Sequence, residues 1–256
     1  MPIFDSHAHY LDTAFDSDRE VLLTSLFENG VCGIIEAATS ANSASLAVAL
    51  AHRFPHLFAA VGIHPEDAGN AIDSDLQVLS RLAADEKVVA IGEIGLDYHY
   101  DDACPRDIQQ QWFCRQLELA HALDLPVVVH DREAHEDTLC LLQKYRPRGV
   151  VHCFSGSTEM AREIVNLGMY IGIGGVVTFK NARKLTEVAA VIPPERLLLE
   201  TDAPYLAPEP YRGKRCDSSK IFYTAAAIAA LRGVSTETVL QWGEQNACEL
   251  YNIPRC

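Results

Sequence analysis

The sequence predicts an α/β protein built as a single (β/α)8 TIM barrel, and three observations predict it. The chain has 256 residues, which is the usual length of such a barrel. Eight short apolar runs rich in β-branched residues alternate with longer helical segments, as in a parallel sheet with crossover helices. Polar residues, several of them histidines, follow most of these runs, and active sites of barrels lie at the carboxyl ends of the strands.

The eight predicted strands follow one another along the chain. They are Ile3–His7, Val31–Ala37, Leu57–Ile63, Val88–Ile94, Pro126–Val129, Gly149–His152, Met169–Ile173 and Arg196–Glu200. Amphipathic segments such as Asp107–Leu123 lie between them, and Ala225–Ala230 belongs to a strongly helical C-terminal segment. No repeat, Ser/Gly linker or long run of like charges divides the chain, so we expect one domain spanning residues 1–256.

Composition narrows the class of protein. Apolar residues make up 48% of the chain and charged residues 22%, which is close to average soluble usage. No apolar run reaches the roughly 18–20 residues that cross a bilayer. The first residues lack the basic and apolar regions of a signal peptide. We therefore expect a cytoplasmic protein that does not associate with membranes, and no obligate protein partner is evident.

The charge balance and the cysteines exclude further classes. The chain carries 35 acidic against 21 basic residues, a formal charge of −14. This argues mildly against a general nucleic-acid coat protein, although local charge and bound metal decide what an active site attracts. The eight cysteines are scattered and form no C-x-x-C pair. In a reducing cytosol we expect free thiols, mostly small core residues, rather than a zinc site with cysteine ligands.

The first predicted strand ends in alternating polar residues, namely Asp5, His7 and His9. A period of two places them on one face, toward the mouth of the barrel. Two imidazoles on one face can chelate a single metal ion. An H-x-H pair also arises by chance, but its position at the end of a first barrel strand favours the metal interpretation.

Four further candidate ligands stand at the ends of later strands. Glu93, beside Gly92, is costly to bury unless it is paired or metal-bound, and a salt-bridged structural carboxylate is the alternative. His130 and His152 could each be a hydrogen-bonded core histidine, but at consecutive strands they indicate a pair of metal ligands. Asp202 can ligate a metal and also accept a proton from the attacking water.

Four histidines, one glutamate and one aspartate would then converge on one mouth. Imidazoles and carboxylates without thiolates suit Zn, Mn, Co or Fe, and are compatible with Mg. A carboxylate such as Glu93 can bridge two metals. Two ions about 3.5–4 Å apart are a known arrangement for the hydrolysis of phosphodiesters and amides. We therefore expect two divalent metal ions per chain.

Six segments, taken in chain order, resemble the motifs of the TatD family of metal-dependent hydrolases. They are Asp5–His9, Gly62–Pro65, Gly92–Tyr98, His130–Arg132, His152–Gly156 and Glu200–Pro204. The resemblance covers the whole chain without a large insertion, and the set is specific although no single motif is. It implies a TIM barrel of the amidohydrolase type with a two-metal site.

The resemblance also implies ligand sets and a substrate. By position, one metal would be held by His7, His9, Glu93 and Asp202, and the other by Glu93, His130 and His152. Members of the family are described as 3′–5′ exonucleases or as nucleases of single-stranded and damaged DNA, and some as acting on D-aminoacyl-tRNA. The resemblance therefore implies DNA, single-stranded or at 3′ ends, as the substrate.

Two positions depart from the family's pattern. Cys216 follows the basic loop 212–215 at a position where the family usually has Asn. The loss of an amide there could change a hydrogen bond to the substrate or to a neighbouring loop. Glu66 stands two residues after His64, where a histidine is frequent, and a carboxylate there does not favour a phosphate.

The remaining candidates concern substrate binding and proton transfer. Lys180 follows the seventh predicted strand, and Arg212 and Arg215 follow the eighth, which is the usual phosphate-binding region of barrels. They are candidates to bind phosphate oxygens, with an ordinary solvated surface as the alternative. His64 could contact a phosphate or donate a proton, or belong to the core. Glu200 precedes Asp202 by two residues, so we expect it on the same side, where it would orient the site.

The leading hypothesis is thus a phosphodiesterase, of the 3′–5′ deoxyribonuclease type, that uses water activated by two metals. An ester or amide hydrolase, such as a D-aminoacyl-tRNA deacylase or a small-molecule amidohydrolase, needs the same activated water and remains the alternative. A metal-binding barrel without enzymatic activity is the third hypothesis, and the complete ligand set argues against it.

Overall fold

The computed structural model describes residues 2–100 and 104–255. Eight parallel strands form one sheet in the order β1 to β8, each hydrogen-bonded to the next along the chain. The strands are β1 (Ile3–Ala8), β2 (Val31–Ala37), β3 (Leu57–Val61), β4 (Val88–Asp97), β5 (Val127–Arg132), β6 (Gly149–Val151), β7 (Tyr170–Ile173) and β8 (Leu197–Leu199).

The last strand meets the first, which closes the sheet. Ala8 forms a parallel bridge with Ala203, just beyond β8. The His9 N–H donates to the carbonyl of Ala203 at 2.7 Å, and the Asp202 N–H donates to the carbonyl of His7 at 3.0 Å. The predicted (β/α)8 barrel is therefore confirmed, and its closing seam runs directly through three candidate site residues.

Helices connect the strands and cover the outside of the barrel. They are α1 (Arg19–Glu28), α2 (Ala41–Ala51), α3 (Asp73–Leu82), α4 (Arg106–Leu123), α5 (His135–Tyr145), α6 (Thr158–Asn166), α7 (Arg183–Val191), α8 (Ile221–Arg232) and α9 (Thr236–Tyr251). Several begin at side-chain caps that accept a backbone N–H, for example Ser40 before α2 and Ser235 before α9. In the described ranges no helix combines the length and the apolar character that a membrane span requires.

The inside of the barrel is a packed core. One cluster of buried residues takes at least one side chain from each of the eight strands, so it lies where all strands converge. It contains Phe4, Ile35, Ala60, Ala90, Val128, Val150, Tyr170 and Leu198, together with the end of α9. Because side chains alternate along a strand, His130 and His152 share the inner face with Val128 and Val150. The core of the barrel thus supports the candidate site from below.

The predicted strand bounds are close, but β4 and β5 extend further than the sequence suggested. Their pairing continues until Asp97 lies beside Arg132. Gly95 allows this close approach, because at its φ of +144° a side chain would collide with the carbonyl of His130. Glu93 and His130 consequently lie within strands rather than at strand ends. The hydrogen-bonded backbone on both sides fixes their positions.

The cysteines match the prediction only in part. The seven that lie in the described ranges form no disulfide, but only Cys216 and Cys248 are buried, and Cys140 is exposed. The expectation that most would be core residues was therefore wrong, since four of the seven are half-buried and one is exposed. Cys256 lies outside the described residues.

Candidate metal centre and active site

The six predicted metal ligands come together at the carboxyl ends of the strands. All except the fully buried His7 line a cavity of about 830 Å³. His7 lies in β1, Glu93 in β4 and His130 in β5, while His9 and His152 directly follow strands and Asp202 lies three residues beyond β8. The six residues are His7, His9, Glu93, His130, His152 and Asp202. Elements from across the chain therefore converge on one group, as the fold requires.

The first group of ligand atoms lies at the seam between β1 and β8. The Nε2 atoms of His7 and His9 are 3.0 Å apart, and Asp202 Oδ1 lies 3.6 Å from the former and 3.3 Å from the latter. His9 Nδ1 lies 3.0 Å from the carbonyl of Ala37, which can only accept a hydrogen bond. Nδ1 therefore carries the proton, and the lone pair of neutral His9 on Nε2 faces this group.

Glu93 occupies the centre of the cluster. Its Oε1 lies 2.7 Å from His152 Nε2 and 2.8 Å from His130 Nδ1. Its Oε2 lies 3.3 Å from His7 Nε2 and 3.5 Å from His9 Nε2. The two oxygens of one carboxylate thus face two different pairs of imidazoles, which is the arrangement that a bridging ligand needs.

His64 belongs to the same cluster. It lies three residues beyond β3, and its Nε2 is 3.5 Å from Glu93 Oε1. Its ring meets the ring of His130 edge to face at 4.5 Å. The ligand atoms of His64, Glu93 and His130 all lie within 4.8 Å of one another. His64 is therefore a fifth imidazole of the cluster, in a position to bind a metal or to face a substrate above it.

The carboxylates control the charge of the cluster. Burial alone would raise the pKa of Glu93, but the imidazoles of His152, His64 and His7 outweigh it and hold this pKa well below its usual value. Burial likewise opposes charge on His9, yet Asp202 and Glu93 raise its pKa to about 10. The field that favours a proton on this imidazole also favours a divalent cation in its place.

The other imidazoles show the same competition. Burial disfavours charge on His130, but Asp97 and Glu93 raise its pKa to about 10. His7 behaves differently, because it is fully buried and stacks on His152 with ring centroids 3.9 Å apart. Burial and this neighbour lower the pKa of His7 to about 4. His7 is thus held neutral, which is the state that binds a metal.

The donor set fits divalent metal ions on the chemistry of its atoms. Two anionic carboxylates and five imidazoles face one another at 2.7–3.6 Å across the cluster. Imidazole and carboxylate are the usual ligands of Zn, Mn, Co and Fe. The clustering of so many lone pairs in a buried place is costly unless protons or cations lie between them.

A second layer of residues holds the ligands. The Nε2 of His130 lies 2.9 Å from Asp97 Oδ2, which fixes the ring so that Nδ1 points at Glu93. At the seam, Asp5 is fully buried and accepts hydrogen bonds from the N–H and the hydroxyl of Thr201 at 3.0 and 2.6 Å, and from the hydroxyl of Ser218 at 2.7 Å. Asp5, which the period of two placed toward the mouth of the barrel with His7 and His9, does not line the cavity. Its carboxylate instead ties β1 to the segment that carries Asp202.

Glu200 lies below the cavity rather than in its wall. It is fully buried, accepts the N–H of Cys153, and lies against Gly172 of β7, where a side chain on the glycine would collide with its carboxylate. Burial raises the pKa of Glu200 to about 8. The predicted location on the same side as Asp202 stays a prediction, since Asp202 lines the cavity and Glu200 does not. Its contacts are with the backbone beside His152, which suits a residue that positions the site.

Two residues at the site adopt left-handed backbone conformations that are uncommon outside glycine. They are Cys153, with a φ of +44°, and Asp202, with a φ of +60°. Such conformations cost about 1–3 kcal/mol each and concentrate at functional sites. At both positions the backbone N–H is bound, by Glu200 and by the carbonyl of His7. These bonds hold the two turns open and direct Asp202 into the cavity.

The three predicted phosphate-binding cations lie outside the cavity wall. Lys180 is exposed. Arg212 lies over the ring of Phe179 at 4.2 Å. Arg215 donates two hydrogen bonds to Asp18, at 2.8 and 2.6 Å, and a third to the carbonyl of Ala14. Arg215 therefore connects the loop after β8 to the segment before α1, and a substrate role for these cations stays a prediction.

Sequence reasoning missed other residues of the cavity wall. Arg132 lies at the end of β5, two positions after His130 and on the same face. Tyr205 lies opposite and donates a hydrogen bond to Asp12 at 2.7 Å, which raises the pKa of the tyrosine to about 12. The period of two from His130 could have identified Arg132. The contact between Tyr205 and Asp12 joins positions that are far apart in the chain and gives no sequence signal.

A (β/α)8 barrel whose mouth gathers imidazoles and carboxylates in this way has the architecture of a metal-dependent hydrolase. Comparison with known families agrees with this class and also identifies a family within it. The family model for TatD-related DNases matches residues 4–252. The chain is thus a metal-dependent hydrolase and belongs to the TatD family, as the sequence motifs indicated.

Individual relatives cover nearly the whole chain. The uncharacterized metal-dependent hydrolase YabD of Bacillus subtilis is 40% identical over 254 residues, 98% of this chain and 99% of its own. The protein named 3′-5′ ssDNA/RNA exonuclease TatD of Salmonella typhimurium is 33% identical over 98% of this chain and 99% of its own. The crystal structure of YjjV, a TatD homologue from Escherichia coli, superposes with a TM-score of 0.92 at 35% identity, with 98% of each chain covered.

Proposed function

We propose that this chain is a phosphodiesterase that uses two divalent metal ions to remove nucleotides from the 3′ ends of single-stranded DNA. The observation that carries the proposal is the position of Glu93, whose two oxygens face different imidazole pairs. Two-metal sites with a shared carboxylate suit phosphodiester hydrolysis, because they stabilise both the attacking and the leaving oxygen. The name of the Salmonella relative, at 33% identity, supports the same substrate.

The ligands divide into two sets that share Glu93. We assign His7, His9, Glu93 and Asp202 to one ion, and Glu93, His130 and His152 to the other. Bound divalent ions would supply water activated at neutral pH and would stabilise the negative charge that develops on the scissile group. The metals could be Zn, Mn, Co, Fe or Mg, since the donor set suits all of them.

The residues of the chain supply proton transfer and orientation. Asp202 lines the cavity and would accept the proton of the attacking water. His64 Nδ1 accepts the N–H of Glu66 at 3.2 Å, so a neutral His64 carries its proton on Nε2, the atom nearest Glu93. From there neutral His64 would donate a hydrogen bond to the substrate. Glu200 acts as a positioning residue, because its contacts are with Cys153 and Gly172.

A cleavage assay tests the proposal. The purified protein is stripped of metal, supplied in turn with Mg, Mn, Co or Zn, and given 5′-labelled single-stranded DNA. We expect metal-dependent shortening in single-nucleotide steps, and a loss of at least about 100-fold in Asp202→Asn. Asp18→Asn makes the same change of carboxylate to amide outside the cavity and should cleave normally. A fully active Asp202→Asn would contradict the assigned role, and no cleavage with any metal would contradict the function.

Metal analysis tests the shared ligand separately. Glu93→Gln should lose both ions, because Glu93 belongs to both sets. Glu66→Gln is the matched control, since this exposed carboxylate lies on the cavity wall but outside the ligand group. Two ions that remain bound to Glu93→Gln would show that the carboxylate does not bridge them.

A second function is favoured by one observation. The carboxylates of Asp12, Glu66 and Asp67 lie on the cavity wall and would attract the ammonium group of an aminoacyl ester. An ester or amide hydrolase, such as a D-aminoacyl-tRNA deacylase, would use the same metals and the same Asp202. Release of a D-amino acid from charged tRNA, by a protein that leaves DNA intact, would establish this alternative.

A further inference from the structure

The wall of the cavity is acidic once the metal-ligand cluster is set aside. Asp12, Glu66 and Asp67 contribute carboxyl groups to it. In the described ranges, Arg132 is the single lysine or arginine that lines the cavity. A polyanionic strand lying across this opening would therefore meet several like charges and one opposite charge. Like charges within the Debye length of about 8 Å repel at physiological salt.

Arg132 is placed beside the metal cluster and is only partly engaged. Its side chain is 43% exposed, and its Nη1 lies 4.0 Å from Asp97 Oδ2, the carboxylate that holds His130. The guanidinium lies over the ring of Tyr100 at 5.1 Å, and Nη1 donates to the Tyr100 hydroxyl at 3.5 Å. No described residue forms a hydrogen bond with Nη2. These contacts orient the guanidinium and leave donors for an anion.

From this placement we propose that Arg132 binds the single phosphate next to the scissile phosphodiester, and that the acidic wall restricts tight binding to the last few nucleotides of a 3′ end. The inference rests on the proposed function and names its substrate class as short single-stranded oligonucleotides. A guanidinium suits this role, because its fork of donors matches two phosphate oxygens. Each phosphate beyond that one would gain no cation from the wall.

Two of the three predicted phosphate-binding cations outside the cavity are already engaged by other residues. Arg215 is occupied by Asp18 and by the carbonyl of Ala14, and Arg212 lies on the face of Phe179. For single strands, the slope of log affinity against log salt is about −0.7 per phosphate neutralised. If Arg132 is the one side chain that neutralises a phosphate, the protein should contribute a slope of about −0.7 to the plot of log affinity against log salt, and this slope should not change with strand length.

Equilibrium binding tests the inference without cleavage. The probes are hydrolysis-resistant phosphorothioate oligonucleotides of two, three and twenty nucleotides, which compete with a fluorescent trinucleotide for the metal-loaded protein. The dinucleotide has only the scissile linkage, and the trinucleotide adds the neighbouring one. We expect the trinucleotide to bind at least about 10-fold more tightly than the dinucleotide, and the 20-mer to bind within about threefold of the trinucleotide.

Variants show whether Arg132 is responsible. Arg132→Gln should remove the advantage of the trinucleotide over the dinucleotide and reduce the salt slope by about 0.7. Arg132→Lys keeps the positive charge but lacks the paired donors of the guanidinium. It should therefore keep the salt slope and lose part of the affinity for the trinucleotide. It is the variant to use if Arg132→Gln misfolds. Arg148→Gln is the matched control, because Arg148 precedes β6 at the opposite end of the barrel.

The outcomes separate the inference from the function it rests on. A 20-mer that binds more than about 10-fold better than the trinucleotide, with a salt slope of about −2 or steeper, would overturn the inference. So would a trinucleotide advantage that survives in Arg132→Gln, a failure of the trinucleotide to bind, or an equal loss of 20-mer binding in Arg212→Gln. Cleavage of ordinary DNA is measured in parallel. Trinucleotide binding without cleavage would refute the proposed function and support the phosphate site at Arg132. Cleavage of DNA together with an affinity that rises steeply with strand length would support the function and overturn the inference.

Discussion

The substitution Gly172→Ala tests how Glu200 is held beneath the site. Gly172 lies in β7 and faces the carboxylate of Glu200 inside the barrel. A Cβ atom at this position would lie 2.8 Å from Glu200 Cδ, closer still to Oε2, and 3.0 Å from the Cα atom of His152. Ordinary contact begins at about 3.4 Å, so the carboxylate would have to move by more than about 0.5 Å. Such a movement takes it away from the N–H of Cys153.

Two terms give the expected loss of stability. Insertion of a methyl group into a packed interior costs about 1–3 kcal/mol. A buried N–H that loses its acceptor, here that of Cys153, costs about 1–3 kcal/mol more. We therefore expect the free energy of unfolding to fall by about 2–5 kcal/mol. For a chain of this size this lowers the melting temperature by at least about 4 °C.

The assay is thermal unfolding, with activity measured on the same samples. Gly174→Ala is the matched control in the same segment, because its Cβ would meet Glu200 at 3.6 Å, which is ordinary contact. In a Glu200→Ala background Gly172→Ala should cost at least about 1 kcal/mol less, since the collision is removed. The reasoning would be refuted by a Gly172→Ala protein as stable as the Gly174→Ala protein. It would also be refuted if the stability loss of the double variant Gly172→Ala, Glu200→Ala equalled the sum of the losses of the two single variants.

Three further predictions concern the metals, an exposed ion pair and the departure at Cys216. Chelation of divalent ions should lower the melting temperature by several degrees, because ions bound only to the folded state stabilise it; an unchanged transition would contradict a metal centre. Arg215→Gln should destabilise the protein slightly, and more at low than at high salt, because the pair with Asp18 is exposed. Cys216→Asn should cost about 1–3 kcal/mol in urea denaturation, since it buries an amide where a fully buried thiol lies. A gain of stability would mean that the amide finds partners there.

The sequence was sufficient for the fold because each strand is a separate signal. Runs of β-branched residues repeat eight times, and the barrel is the simplest way to bury them all. The bounds of β4 were less predictable. Gly92 and Gly95, which flank Glu93, are compatible with close backbone approach and with a sharp turn, and the structure uses Gly95 to let the backbone of β4 approach His130. A glycine signals close approach as readily as it signals a turn, and the sequence does not distinguish the two.

The grouping of the candidate ligands was predictable for a related reason. The residues that converge stand at the ends of parallel strands, and the fold brings all such ends to one mouth. The availability of surface cations was not predictable in this way. Arg215 seemed suited to phosphate by its position, yet its partner Asp18 lies 197 residues away in sequence. Arg132 lies in one of the family's motifs. That it is the single basic residue among the described residues of the cavity wall follows only from the tertiary structure.

The net charge of −14 and an anionic substrate are compatible once the cavity is divided into floor and wall. On the floor, Glu93 and Asp202 are surrounded by imidazoles, so bound divalent ions would make this region positive. On the wall, Asp12, Glu66 and Asp67 place carboxyl groups along the cavity. An anion is therefore attracted at the reacting centre and repelled around it. Strand length would separate the two effects, because in the proposed binding mode the scissile phosphate would face the metal ions and its neighbour would face Arg132, the single basic residue among the described residues of the wall. The dependence of binding affinity on strand length therefore tests the effect of the acidic wall. The dependence of cleavage on added metal tests the metal-ligand cluster at the floor of the cavity.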